Sequence, residues 1–243
     1  MNKNEVLSTA KIVLRGVISM AMLQFCLPAA MQAQTANAVS DIAPPPNAMT
    51  LSVHGKCDYS ADGVTFTKLV KGHDFEQGAF IRTGEDARTD LFIRRTGTIV
   101  RLQPGTEIQL EKMTSSMKDG LPIEHTLLDL RAGRIFAVVR SEVAGSTLEI
   151  SNAAGCSVVE GSGVGKYIIT ADGTHVTAKG SVIPLKVIGE NGITIIAAGQ
   201  QFSRKNGKKF AASTSRWVKD LIEIDELQSV MDESMVKEPP PKP

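Results

Sequence analysis

Aromatic side chains are scarce in this sequence: Phe, Tyr and Trp together make up 5% of its 243 residues, with a single Trp. Stacking platforms for bases or sugar rings would therefore be few. Cysteine and histidine are rare too, at 3 and 4 residues. No Cys-x-x-Cys or His-x-x-His spacing occurs, which weighs against a zinc site and leaves no metal or cofactor ligands to name. An excess of one charge is also lacking. Lys+Arg 27 stands against Asp+Glu 26, whereas a chain that neutralises nucleic-acid phosphates carries a large basic surplus. Nucleic acid is not an expected partner. No apolar run reaches the ~18 residues of a membrane-crossing helix, so no transmembrane segment is expected in the mature chain. What is present suffices for a core, since 42% of the residues are hydrophobic and 22% charged.

The amino terminus has the pattern of an export signal. Lys3, Lys11 and Arg15 precede an uncharged, mostly apolar stretch from Gly16 to Leu27. As a helix it would span only about 18 Å, short of a ~30 Å hydrocarbon core. Ala36-Asn37-Ala38 fits the small-residue cleavage rule, with Ala33 as a competing site. Cys26 follows Leu23-Gln24-Phe25, a poor context for lipidation. The expected organisation is a signal peptide over 1–38, a Pro/Ala-rich linker over 39–50, a β domain over 51–212, a helix over 213–236 and a Pro-rich tail over 237–243. The mature product is expected to be periplasmic or secreted.

Between the linker and the helix, glycine turns replace prolines as punctuation. Asp62-Gly63, Asp119-Gly120, Asp172-Gly173, Asn191-Gly192 and Asn206-Gly207 tolerate the positive φ angles of tight turns. The intervening segments alternate with period two. Ile108 and Leu110 are interleaved with Glu107, Gln109 and Glu111, and Leu128 and Leu130 with Asp129 and Arg131; Leu148 and Ile150 alternate with Glu149 and Ser151. Such alternation puts one set on a buried sheet face and the other in water. Ile135 to Val139 is continuously apolar, the mark of a strand covered on both faces. The fold class that follows is all-β, an antiparallel sandwich or solenoid-like domain with one C-terminal amphipathic helix.

In that helix, Thr214 or Ser215 can serve as the cap. Trp217, Leu221, Ile224, Leu227, Met231 and Met235 recur at spacings of three and four, which collects them on one stripe among acidic residues. Two uses fit the stripe. It can cover the chain's own sheet, or Trp217, Leu221 and Ile224 can dock a partner.

Catalytic motifs are not found. Glu160-Gly161-Ser162-Gly163-Val164 lacks the outer glycines of a nucleophile elbow, and Gly161 to Lys166 lacks the spacing of a phosphate loop. Arginine, by contrast, is locally dense: Arg82, Arg88, Arg94, Arg95 and Arg101, then Arg131, Arg134 and Arg140. Arg88, Arg95 and Arg101 could bind a polyanion such as an acidic envelope glycan, or the arginines could pair across the sheet with Glu85, Asp90 or Glu107. Once Cys26 leaves with the signal, Cys57 and Cys156 remain. A bridge between them would close a loop of about a hundred residues, for about 4–5 kcal/mol of chain entropy. The alternative is two buried free thiols.

Several segments in series resemble the FecR-type periplasmic domain. They are Val53-His54-Gly55, Leu69-Val70-Lys71-Gly72, Phe75-Glu76-Gln77-Gly78 and Ile81-Arg82-Thr83-Gly84, then Arg88 to Ile93 and Thr96 to Leu102. Pro104 to Leu110 and Leu130-Arg131-Ala132-Gly133-Arg134-Ile135 continue the pattern, with looser likeness at Gly161-Ser162 and Ala198-Gly199-Gln200. The resemblance implies a β-rich extracytoplasmic domain without catalytic residues. Signalling members carry a cytoplasmic sigma-factor-binding segment, whereas only Met1 to Arg15 precede the apolar run here, and an acidic helix stands in place of their receptor-facing domain. The expectation is a non-catalytic exported module that binds or scaffolds an envelope protein or acidic glycan. The alternative is a periplasmic sensor that couples to a membrane partner through its helix.

Overall fold

The computed structural model describes residues 48–94, 96–142, 144–153, 155–189, 192–212 and 215–237. The expected signal peptide, Arg95, Thr214 and the Pro-rich tail beyond 237 lie outside the described residues, as do the side chain of Met235 and most of the linker.

The chain forms eighteen described strands. They begin with β1 (Ala48–His54), β2 (Cys57–Ser60), β3 (Thr67–Lys68), β4 (Asp74–Phe75), β5 (Phe80–Thr83) and β6 (Arg88–Ile93). Next come β7 (Thr98–Leu102), β8 (Glu107–Lys118), β9 (Leu121–Ala132), β10 (Arg134–Ser141), β11 (Thr147–Asn152) and β12 (Gly155–Glu160). The last are β13 (Gly163–Thr170), β14 (Thr174–Thr177), β15 (Leu185–Gly189), β16 (Gly192–Ile196), β17 (Gln200–Ser203) and β18 (Lys208–Ala211), followed by the helix α1 (Ser215–Lys237). β1 starts three residues before the expected domain boundary, because Ala48 is fully buried and pairs with both Phe75 and Ile93.

Two nine-stranded sheets result, ordered β4-β1-β6-β7-β10-β13-β14-β17-β18 and β3-β2-β5-β8-β9-β11-β12-β15-β16. Apart from the first few strands, the order in each sheet follows the order in the chain. The chain crosses from one sheet to the other every one or two strands and adds each new strand at the growing end. The expected sandwich and solenoid characters thus coexist, and the sheets do not close into a barrel. Most crossings carry hairpins, but β4, β5 and β10 each cross alone; after β10 the chain returns to the second sheet, beside β9, in the direction it left. That is why β9 and β11 pair in parallel while the other described pairs are antiparallel.

Turn chemistry sets the hairpin registers. Lys118 faces Leu121 across a two-residue loop in which Asp119 and Gly120 have φ of 55° and 77°. Both central residues must adopt positive φ in this turn type, which Asp-Gly permits. The glycines of the other expected turns, Gly63, Gly173, Gly192 and Gly207, also have positive φ.

The main core lies between the sheets. Leu91, Val100, Leu102, Ile135, Ala137 and Tyr167 from one sheet meet Ile81, Ile108, Leu110, Leu128, Leu130 and Ile150 from the other. A second cluster lies on the outer face of the first sheet, where Phe92, Ile99, Phe136, Val138 and Ile168 pack under Trp217, Ile224, Leu227 and Met231 of α1. β7 and the Ile135–Val139 run of β10 are therefore buried on both faces, as the continuous apolar run predicts. Each helix side chain that is removed from water here contributes about 1.5–3 kcal/mol. Among the described residues no helix is long and apolar enough to cross a membrane.

Candidate functional site: an inter-sheet cavity beside a charge-latched helix

The arginine-rich stretch finds its anion within the chain. Arg101 on β7 is 6% exposed. Its Nε donates to Asp90 Oδ1 at 2.6 Å and its Nη2 to Asp90 Oδ2 at 3.0 Å, the two-pronged geometry that suits a guanidinium. Its Nη1 donates to Glu223 Oε1 of α1 at 3.2 Å, where Gln103 Nε2 also donates at 2.9 Å. Burial alone would pull the Arg101 guanidinium down, but the hydrogen bonds and charges of Asp90 and Glu223 outweigh it and hold its pKa above the ordinary value. Arg88 Nη1 approaches Glu223 Oε1 at 3.8 Å. Arg134 pairs with Asp220 at 2.8 Å, Lys166 with Asp225 at 2.6 Å and Arg140 with Asp232 at 3.3 Å. Of the expected polyanion site at Arg88, Arg95 and Arg101, the Arg101 part is thus corrected. Arg101 is buried and doubly engaged, Arg88 sits at the rim of the same acidic helix, and Arg95 lies outside the described residues. The expected pairing with Asp90 does form.

The docking residues are corrected for the same reason. Trp217 and Ile224 are 3% and 0% exposed, and Leu221 is half-buried against the same cluster. Trp217 Nε1 donates to Gln201 Oε1 at 2.6 Å. These side chains anchor α1 to its own sheet, while Val218 and Ile222, one turn apart, are the ones exposed.

The cysteine bridge does not form. Cys57 on β2 and Cys156 on β12 are both free. They belong to the same sheet with four strands between them. At ~4.8 Å per strand that separation is about 24 Å, whereas bridged Cα atoms lie within ~7 Å. Burial, then the charge of Asp58, pushes the Cys57 thiol up; burial, then Glu149, does the same at Cys156. Both stay protonated and weakly nucleophilic.

A cavity of about 230 Å³ lies at one end of the gap between the sheets. Thr98 and Val139 line it from the first sheet, and Glu124, Thr126, Leu148 and Val159 from the second. Strand parity explains why polar groups reach this interior. On β9, Leu130 and Leu128 point into the core, so Thr126 and Glu124 continue the same face. On β7, Thr98 continues the face of Leu102 and Val100. Glu124 is 2% exposed; its Oε1 accepts from Ser115 Oγ at 2.8 Å, and its backbone N–H donates to Ser146 Oγ at 3.1 Å. Thr98 Oγ1 and Thr126 Oγ1 are buried with no partner among the described residues. A buried hydroxyl without a partner costs about 1–3 kcal/mol.

None of these residues was singled out by motif. The available signal was the register of β9 itself: the Leu128, Leu130 alternation extended backwards puts Thr126 and Glu124 on the core face. Among the described residues no group of three His, Cys, Asp or Glu could hold a metal ion. No family model, curated protein or solved structure matches the chain.

Proposed function

We propose that the chain is an exported, non-catalytic FecR-type module that binds a small molecule of the cell envelope in the cavity between its sheets. The observation that carries this reading is a preformed space whose wall includes Thr98 and Thr126, one from each sheet, both with buried hydroxyls that have no partner among the described residues. Preformed concave sites with a few convergent polar groups on an apolar wall are the general form of small-ligand sites. The export part of the reading is supported by the sequence of Lys3 to Ala38 alone, and the family part by the strand-turn segments from Val53 to Ile135.

Two measurements test it. Cell fractionation is expected to recover the chain outside the cytosol, shortened after Ala33 or Ala38; a full-length cytosolic product overturns the export reading. The low-molecular-weight fraction of an envelope extract is expected to raise the melting temperature of the full chain. It should leave the melting temperature of the Thr98→Val, Thr126→Val double variant unmoved. An equal shift in both proteins overturns the cavity reading.

A second reading, a sensor that couples to a membrane partner through α1, is favoured by one observation. Val218 and Ile222 are 53% and 57% exposed on the outward side of α1, in an i, i+4 pair. Replacing both with Ser should keep the fold and abolish capture of that partner.

A further inference from the structure

The outer faces of the two sheets differ. α1 covers that of the first sheet and is the one helix among the described residues, so the second sheet's outer face has no such cover. Over much of its width that face is polar, as a sheet with one wet side should be. Asp58 pairs there with Arg82, and Arg131 with Asp129 and Gln109. At the last two strands the pattern breaks. Leu185, Val187 and Ile196 belong to the core, so Lys186, Ile188, Ile193 and Ile195 point outward. The register sets Ile188 opposite Ile193 and Lys186 opposite Ile195. All three isoleucines are exposed. On β12, Cys156 and Val158 continue the patch opposite Ile188 and Lys186.

Cations gather around it. Between Gly173 and Ala212 the sequence holds Lys179, Lys186, Arg204, Lys205, Lys208 and Lys209 but one acid, Glu190, in a chain of net charge +1. The strands of this segment, β14 to β18, form one end of both sheets. Lys209 Nζ donates to the Ile195 carbonyl at 3.4 Å and Arg204 Nη2 to the Ile188 carbonyl, which ties both charges to the isoleucine strands. Glu190 lies outside the described residues. The described acids at the border are Glu149, opposite Val158, Glu160, which pairs with Lys186 at 2.8 Å, and Asp172, which lines the same hollow as Arg204.

An apolar patch with a polar rim marks a docking surface, and its chemistry separates the partners. An acidic glycan matches the cations but leaves three isoleucines in water. A second copy on the same face brings Lys186 and Lys209 against their own equivalents. Protein interfaces centre on Tyr, Trp and Arg, whereas this centre is aliphatic. A bilayer with anionic headgroups takes the isoleucines at its acyl boundary and the lysines beside its phosphates.

We propose that the face formed by Ile188, Ile193 and Ile195 is a peripheral docking site for an anionic lipid surface, with Lys186, Lys209 and Arg204 at its rim. It stands independently of the cavity.

Hydrogen exchange of the full chain, followed by mass spectrometry, tests it segment by segment. Vesicles of equimolar phosphatidylglycerol and phosphatidylcholine are expected to slow exchange over 186–196, and phosphatidylcholine alone is not. The lipid concentration that half-protects this segment should rise about fivefold for Lys186→Gln and for Lys209→Gln. It should rise about tenfold or more for the Ile193→Ser, Ile195→Ser double variant. These side chains lie at the surface, so an unchanged melting temperature is expected in each variant. If the serines unfold the edge, the two glutamine variants still decide the outcome. Protection that is absent, or confined to 1–38 or to α1, overturns the proposal, as does an equal lipid requirement in the parent and the glutamine variants. Protection that needs no lipid and grows with protein concentration assigns the face to a second copy and overturns it too.

Discussion

At the residue scale, two buried groups set sharp limits on what the sandwich tolerates. Tyr167 is fully buried, and its hydroxyl donates to the Ile183 carbonyl at 2.7 Å. A Cβ added at Gly165 would land inside that phenol. Gly165→Ala is therefore expected to cost about 1–3 kcal/mol through overpacking, read as a lower urea midpoint at unchanged slope. An unchanged midpoint would mean that the ring has somewhere else to go. His175 on β14 is 1% exposed. Burial first, and the Arg204 charge second, hold its imidazole at about 4 against an ordinary 6.5. The unfolded chain takes up this proton near pH 6.5 and the folded one only near pH 4. Between those values the unfolded state binds more protons, so stability falls as the pH drops through that window. The loss is about 3 kcal/mol once both states are protonated, at ~1.4 kcal/mol per pH unit. His175→Leu should flatten that part of the melting-temperature profile. A parent profile already flat between pH 6.5 and pH 4 would refute the assignment.

At the scale of elements, α1 is a cover held by two kinds of contact. Trp217, Ile224, Leu227 and Met231 fill the outer face of the first sheet, and Asp220, Glu223, Asp225 and Asp232 meet Arg134, Arg101, Lys166 and Arg140. The exposed pairs in this row contribute little each, about 0–1 kcal/mol. Arg101 differs, because removing its charge would strand Asp90 and Glu223 in a poorly hydrated place. A direct test compares two neighbours on the helix. Ile224→Ala is expected to cost about 2–5 kcal/mol, whereas Ile222→Ala, on the outward side, should stay within ~0.5 kcal/mol. Equal effects in a denaturant titration would mean that α1 does not lie on the sheet in this orientation. β16 shows the opposite situation, since its Ile193 and Ile195 are 65% and 53% exposed at the edge of the second sheet. Lys209 Nζ donates to the Ile195 carbonyl at 3.4 Å, a lysine set against the edge strand.

At the scale of the whole molecule, the zigzag between sheets decides which distant residues meet. It keeps Cys57 and Cys156 four strands apart in one sheet. Peptide maps of the native chain made with and without reductant are therefore expected to be identical, and a reductant-sensitive peptide pair would overturn the strand order. The same zigzag brings β7, β9 and β10 together around Thr98, Glu124 and Thr126, although the chain separates them by hairpins. Much of this molecule is determined locally and is legible in the sequence. Period-two alternation defines the strands, Asp-Gly and Asn-Gly define the turns, the unbroken run from Ile135 to Val139 marks a doubly covered strand, and three-and-four spacing marks the helix. These signals arise between near neighbours in the chain, so they survive without knowledge of the fold. Pairing between remote charges is different. The arginines read as a basic patch in the sequence, but Arg134 and Arg101 also reach Asp220 and Glu223, more than eighty positions away, and only packing of α1 onto the sheet brings these together. The cavity is likewise a product of tertiary structure. Strand parity alone turns Thr98, Glu124 and Thr126 inward, yet a gap between two sheets exists only once both sheets have assembled and their ends have failed to fill it.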